Sequence, residues 1–482
     1  MSSTPNRLMI YPAPEGAVGN SDYAVRVRQG QGEWQPVFSY NVKVDMHDVR
    51  NASMVYFDCA GAVEVEVTKY DGEIRDVAVR PASAGIDGVV GGNRVTFMMD
   101  GPRKLSLEVN GNRFNNLHIF ANPNEEDVPN PADSGVLLVR QGIHQTEQLQ
   151  SLISTEVSVI YFESGMHVLE QPQLLIPSGV TVYVAGGAVV AGAFVCDGVQ
   201  DVTIRGRGIV YMSDFEKSTY YRAVEIKFSK NVAIEGIIVV DPPHYTVLIG
   251  KSEHITIRNI KSFSTRGWSD GIDMMASSHV DVDDVFLRTS DDCIAVYGSR
   301  WNYQGDTRHI AVRNSVLWAD VAHPMNVGGH GNHDKGDIVE NILFENIDVL
   351  EHHEPQPNYW GCMSINCGDN NTVRNVTYRN IRIEQFELGQ LFDIRVLFNP
   401  KYNPCPGYRV ENILFDNIVF NGTCDNPSVI AGFDESRIVK GVRFRNVRIN
   451  NRHILSPESG NIRIKDHAHD IVCNYCKSDE MI

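Results

Sequence analysis

Two different hydrophobic patterns divide the chain. Up to about residue 125, short runs alternate apolar and polar residues, as in Tyr23–Arg28, Val63–Lys69 and Arg94–Met99, and the dipeptides Asp71-Gly72, Asp100-Gly101 and Asn110-Gly111 punctuate them. Period-two alternation buries one face of a strand and wets the other, and Asp-Gly or Asn-Gly accepts the positive φ of a two-residue hairpin turn. Residues 1–125 are therefore expected to form an antiparallel β-sandwich. The stretch from Asn122 to Ser134 is polar and proline-rich, which places a linker at 126–139.

Beyond the linker a motif recurs: two β-branched or aromatic residues flank one other residue, and Asn-Ile or Asn-Val often follows. It starts at Val202, Val232, Ile255, Val280, Ile310, Ile342, Val376, Ile413 and Val442, at intervals of 30, 23, 25, 30, 32, 34, 37 and 29 residues. Short strands repeating at such intervals, with no 3.6-residue period, predict a solenoid of parallel strands. The leucine spacing of a leucine-rich repeat and the hairpin turns of a propeller are both missing. Asparagine at the motif's end suits a coil corner, where its amide can bond the coils above and below. The expected fold is all-β: a right-handed parallel β-helix over residues 140–482, preceded by the sandwich.

Composition narrows the function. Hydrophobic residues make up 42% and charged residues 21% of the 482 positions, values typical of a globular protein. No apolar run approaches the roughly 18 residues of a membrane span. A formal charge of −17 argues against a nucleic-acid partner, and more weakly against any polyanion. The opening Met1-Ser-Ser-Thr-Pro-Asn-Arg-Leu lacks a charged segment leading into an apolar one. The expectation is a cytoplasmic protein, or a secreted one whose leader has been removed. Nine cysteines lack metal-type spacing apart from Cys473 and Cys476, a lone C-x-x-C without the two further ligands of a structural zinc. No metal and no cofactor is expected, and no oligomeric state is assigned.

Candidate chemistry emerges from the coil period. Neighbouring coils stack at about 4.8 Å, so residues one period apart become vertical neighbours. Asp270 precedes Asp291 by 21 residues and His323 follows it by 32, which places Asp270, Asp291, Asp292 and His323 on consecutive coils along one face. Carboxylates at that spacing repel and need an offsetting partner or a function. Asp283-Asp284, between Val282 and Val285, lacks any such neighbour and reads as an ordinary turn. Adjacent strand residues face opposite ways, so Asp291 and Asp292 reach one cleft only at a strand end or bend.

Three segments, Ser269-Asp270-Gly271-Ile272-Asp273, Ser290-Asp291-Asp292-Cys293-Ile294-Ala295 and the run from His323 to Gly329, resemble in order and spacing the motifs of the polygalacturonase family (glycoside hydrolase family 28). The resemblance spans about residues 140–450. The sandwich ahead of it is similar to that of the dextranase and isopullulanase family (family 49). The resemblance implies an inverting hydrolase of a poly- or oligosaccharide. Asp291 would protonate the leaving oxygen, Asp270 and Asp292 would hold and deprotonate the water, and His323 would support the acid or a substrate hydroxyl. Inversion calls for carboxyl groups about 6.5–9.5 Å apart.

Departures from the family pattern bear on the substrate. The family's Arg-x-Lys, which binds galacturonate carboxylates, should fall one coil after the histidine, where this chain has Gly361-Cys-Met-Ser-Ile-Asn366. Arg395 comes a coil late, Arg463 and Lys465 lie near the C-terminus, and proline replaces glycine after His323. A neutral sugar is the expectation. Tyr245, Trp268, Trp301, Tyr359 and Trp360 are candidate stacking surfaces. Asp273, Asn366, Asp393 and Arg395 complete the substrate-binding set. Two rivals remain: a polysaccharide lyase or epimerase on the same fold, and a non-catalytic carbohydrate-binding β-helix.

Overall fold

A computed structural model describes residues 8–475, and three sheets account for the strands in that range. A five-stranded and a six-stranded sheet form the N-terminal sandwich. Tyr23–Arg28 shows the strict buried-and-partly-buried alternation that its sequence predicts. The Asn110-Gly111 turn has φ of 54° and 72°, and Val109 pairs with Asn112 across it. One pairing departs from the antiparallel expectation: Asn112–Asn122 runs parallel to Arg50–Asp58. The reason is topological, because Asn112–Asn122 returns from a hairpin with Arg103–Val109 and carries the chain out toward the solenoid.

The remaining 32 strands, from Val136 to Asn474, form one continuous parallel β-helix. The recurring motif is its vertical register: Val202, Val232, Ile255, Val280, Ile310, Ile342, Val376, Ile413 and Val442 pair coil to coil. All are buried in one core cluster. Each such side chain removed from water stabilises the fold by about 1.5–3 kcal/mol, so the ladder of aliphatics is what holds the coils in register. The asparagines sit at corners as expected. Asn314, Asn346, Asn380 and Asn417 all have φ between 52° and 56°, a left-handed conformation that asparagine tolerates better than most residues. Their amides form ladders, with Asn346 donating to Asn314 and Asn417 to Asn380, each at 2.7 Å.

Two details differ from the sequence reading. Val136–Val139, inside the expected linker, is already a solenoid strand paired with Val159–Phe162, because its four apolar residues find a partner only once the coil closes. A short helix, Thr146–Leu152, was not expected. It is anchored where Thr146 Oγ1 donates to the Gln171 carbonyl, and buries Leu149 in the solenoid core. Cys476 of the C-x-x-C lies outside the described residues.

The sandwich docks flat along the solenoid. Tyr40, Val42, Met54 and Phe120 pack with Ile209, Ile238, Phe263, Phe286 and Trp318 in a shared apolar cluster. Buried ion pairs seal the seam. Arg288 donates to Asp320 at 2.9 Å and to Asn116 of the sandwich at 2.9 Å, and Arg207 donates to Asp58 at 2.9 Å.

Candidate active site

The floor of the site is a stack of five strands: Ile272–Met275, Ile294–Tyr297, Met325–Val327, Gly361–Cys367 and Gln390–Val396. Asp273, Ala295, Asn326, Ser364 and Asp393 lie in vertical register on it. The chain bends just before each strand, and the bends stack as well: Gly271 N–H donates to the Asp292 carbonyl and Cys293 N–H to the His323 carbonyl, each at 2.8 Å. An alanine at position 271 would place its Cβ 2.3 Å from the Cys293 carbonyl oxygen, so only glycine allows this close stacking.

These bends bring Asp270, Asp291 and Asp292 together, with one carboxylate oxygen from each within 4.8 Å of the others. That is closer than the expected separation of an inverting pair. Asp291 turns into the cleft because its carboxylate accepts the Trp268 N–H at 2.9 Å and the Asp292 N–H at 3.0 Å. Asp292 accepts His323 Nδ1–H at 2.6 Å, the His323 backbone N–H at 3.0 Å and the Asn326 amide at 2.8 Å. The opposite ring nitrogen, His323 Nε2, lies 2.7 Å from the Tyr359 carbonyl. An ionised carboxylate and a carbonyl can only accept, so both ring nitrogens carry protons and His323 is an imidazolium.

The electrostatics follow from this pairing. Burial opposes the His323 charge, but Asp292 outweighs it and pushes the imidazolium up to about 9. Burial also acts to raise Asp292, yet the His323 charge and the three donated hydrogen bonds hold its carboxyl below the ordinary range. Asp291, without a cation of its own, is raised to about 6 by burial and by the Asp292 charge. Asp270 is held well above the usual carboxylate range by burial and by the charges of Asp273, Asp291 and Asp292. The cluster thus contains a carboxylate kept ionised beside two carboxyls pushed toward the protonated form. Asp270, Asp291 and Asp292 also have metal-like spacing, and both Asp292 oxygens accept protein donors, Oδ1 from His323 and Oδ2 from Asn326.

Above the floor lies a cavity of about 480 Å³, within the usual 300–1,000 Å³ of small-molecule sites. Of the anticipated residues, Asp270, Asp291, Asp292, Tyr245, Trp268, Tyr359 and Asn366 line it. His323, fully buried, stands behind Asp292 and is a positioning residue. Trp301 is half exposed outside the lining and stacks on Tyr245 with ring centres 6.1 Å apart. Asp273 is buried beneath the cavity, 3.7 Å from Arg300. Trp360 gives its carbonyl to His352, and Arg395 is buried and donates to Asp393 at 2.5 Å. Trp301, Asp273, Trp360, Asp393 and Arg395 therefore do not border the cavity.

Several lining residues were not anticipated. Glu354 is buried beside His323, and burial raises its carboxyl. It lies 31 residues after His323, so the coil period could have found it. Met46 and His47 come from a sandwich turn whose Met46 N–H donates to Ser290 Oγ at 3.1 Å. No local pattern signals such a contact. Lys217, Arg300 and Lys401 also line the cavity. The strand one coil after His323 lacks a cation, as the sequence shows, while loops on other coils bring three to the cavity.

The sequence profile of Glycosyl hydrolases family 28 matches residues 178–465, more than half of the chain. The protein belongs to that family. Among curated relatives, "Probable exopolygalacturonase B" of Aspergillus terreus is 25% identical over 262 residues, covering 48% of this chain and 57% of the relative. "Probable endo-xylogalacturonan hydrolase A" of Aspergillus fumigatus is 22% identical over 264 residues, covering 51% and 61%. The family 28 chain thus spans little more than half the length of these relatives. In overall shape it is similar to Dex49A from Penicillium minioluteum, with a TM-score of 0.73 and 15% identity, covering 97% of this chain and 96% of that one. That likeness includes the sandwich and concerns the fold alone. Among the described residues no helix is long and apolar enough to cross a membrane. Nothing in these relatives supports the expected cytoplasmic location.

Proposed function

We propose that this family 28 protein hydrolyses a glycosidic bond in a poly- or oligosaccharide, with inversion. The observation that carries the reading is the Asp292–His323 pair, joined at 2.6 Å beside Asp270 and Asp291. It keeps one carboxylate charged while its neighbours are pushed toward the protonated form, and acid–base hydrolysis needs that division of labour. Asp291, raised to about 6, protonates the leaving oxygen. Asp292 takes the proton from water, and Asp270 helps to orient that water. Inversion rests on the family resemblance, because the close packing of the carboxylate oxygens does not itself require it.

The lining favours a sugar that carries acidic groups. Lys217 lies 4.7 Å from the centre of the Trp268 ring, and Lys401 lies 4.6 Å from that of Tyr402. Neither ammonium has a carboxylate partner among the described residues, so each has charge to offer a ligand. A neutral sugar is the second reading, favoured by the uncharged Ser364 and Asn366 on the strand one coil after His323 and by the neutralisation of Arg395 by Asp393. A panel of acidic and neutral glycans tests both. New reducing ends without ultraviolet-absorbing unsaturated products support hydrolysis, whereas unsaturated products would establish the lyase. Equal turnover of dextran and polygalacturonate would remove the role given to the lysines.

A further inference from the structure

The cleft has two flanks, set by whether a residue precedes or follows its floor strand. The segment 352–360 leads into Gly361–Cys367, and 397–408 leaves Gln390–Val396. These two loops rise from opposite flanks and meet above the floor. Gln356 Oε1 accepts from Tyr402 Oη at 3.4 Å and from Lys401 Nζ at 3.5 Å, and the Tyr359 and Tyr402 rings lie 5.8 Å apart.

The meeting hydrogen bonds are long and therefore weak. What fixes the bridge is its footing on each side. On one flank Tyr359 gives its carbonyl to His323 at 2.7 Å, and its hydroxyl lies 3.2 Å from the Asn326 amide. On the other, Asn403 donates to the Gly329 carbonyl at 2.7 Å, and the Tyr402 N–H is tied to the Asn399 carbonyl at 2.9 Å.

The floor itself does not end there. Asp393 continues the vertical line of Asn326 and Ser364, and Arg395 that of Asn366. Both are buried and excluded from the cavity, so it is the loops that end the cleft. At the opposite, N-terminal end Trp268 is 53%, Trp301 50% and Tyr220 48% exposed, leaving aromatic surface along which a chain can run.

We propose that the Gln356–Tyr402 bridge makes the cleft a blind-ended pocket, so that the enzyme removes short pieces from chain ends and does not cut internally. This rests on the hydrolase reading above. The bridge leaves strands two to three coils beyond Asp291 and Asp292, but its footings on His323, Asn326 and Gly329 draw it back to one coil from them, about 5 Å at ~4.8 Å per coil. Only a short terminal segment fits between the aspartates and the bridge.

The test uses polygalacturonate and dextran, following product sizes by chromatography together with solution viscosity. The wild-type protein is expected to release one short product from the first minutes, with viscosity falling in proportion to the bonds cut. A ladder of intermediate lengths, with viscosity collapsing after few cleavages, would overturn the proposal while leaving the hydrolase reading intact. A Gln356→Gly, Tyr402→Ser double variant should then produce intermediate lengths. Its rate is expected to fall, so the readout is the ratio of long to short products. An unchanged single product from this variant would show that the bridge does not set the end of the cleft. Failure to cleave any glycan of the acidic and neutral panel would remove the hydrolase reading, and this inference with it.

Discussion

Replacing His323 by asparagine isolates the charge of the imidazolium. Asparagine can still present an N–H to Asp292, but it brings no cation into a site where His323 and Asp292 meet at 2.6 Å in full burial. His323 is raised from 6.5 to about 9. At about 1.4 kcal/mol per pH unit, that difference corresponds to about 3 kcal/mol of native stability. The value agrees with the 3–5 kcal/mol typical of removing one member of a buried ion pair. The sign is that of a group raised on folding: the stabilisation is complete below 6.5 and is lost as pH rises through about 9. Denaturant unfolding of wild type and variant should therefore differ by about 3 kcal/mol near pH 6 and converge near pH 10.

The same substitution should move catalysis. Without the imidazolium, burial is no longer outweighed at Asp292, and its carboxyl rises from below the ordinary range. In kcat/KM the acidic limb reports the base and the basic limb the acid. Wild type should lose activity on the basic side through about pH 6, where Asp291 titrates, and His323→Asn should shift the acidic limb upward and narrow the profile. An unmoved acidic limb, together with a stability difference independent of pH, would show that His323 only fills space.

Five further outcomes are expected. Asp291→Asn should lower kcat by about 10²–10⁴-fold with little change in KM, because its proton is needed in the transition state. Asp283→Asn should stay within about 0.5 kcal/mol of wild type and keep full activity: Asp283 accepts the exposed Asn314 amide at 2.7 Å, far from any cleft. Arg288→Met leaves Asp320 buried without its 2.9 Å partner and frees Asn116 of the sandwich. It should cost about 3–5 kcal/mol in a denaturation measurement. Lys217→Ala should raise KM for polygalacturonate and leave that for dextran unchanged, with the effect shrinking at high salt. The first product seen by NMR should have inverted anomeric configuration, and retention would reassign one aspartate as a nucleophile.

The sequence by itself determined the solenoid and the core of its chemistry. Burial of a β-branched residue at every Val-x-Ile position sets the register, and register is a one-dimensional property that intervals of 23 to 37 residues reveal. The same periodicity placed Asp270, Asp292 and His323 on stacked bends, and it would have placed Glu354 beside them. Only the tertiary structure decided which way each side chain points and what lies across from it. Arg395 looked available for a substrate until Asp393 was found to hold it, and Trp301 proved to lie outside the cavity. Met46, Lys217 and Lys401 reach the cleft from a sandwich turn and two loops, contacts that no repeat encodes because they join parts of the chain distant in sequence. The division of charge among the aspartates is likewise tertiary. It follows from burial and from one 2.6 Å contact with His323, neither of which a spacing of residues can supply.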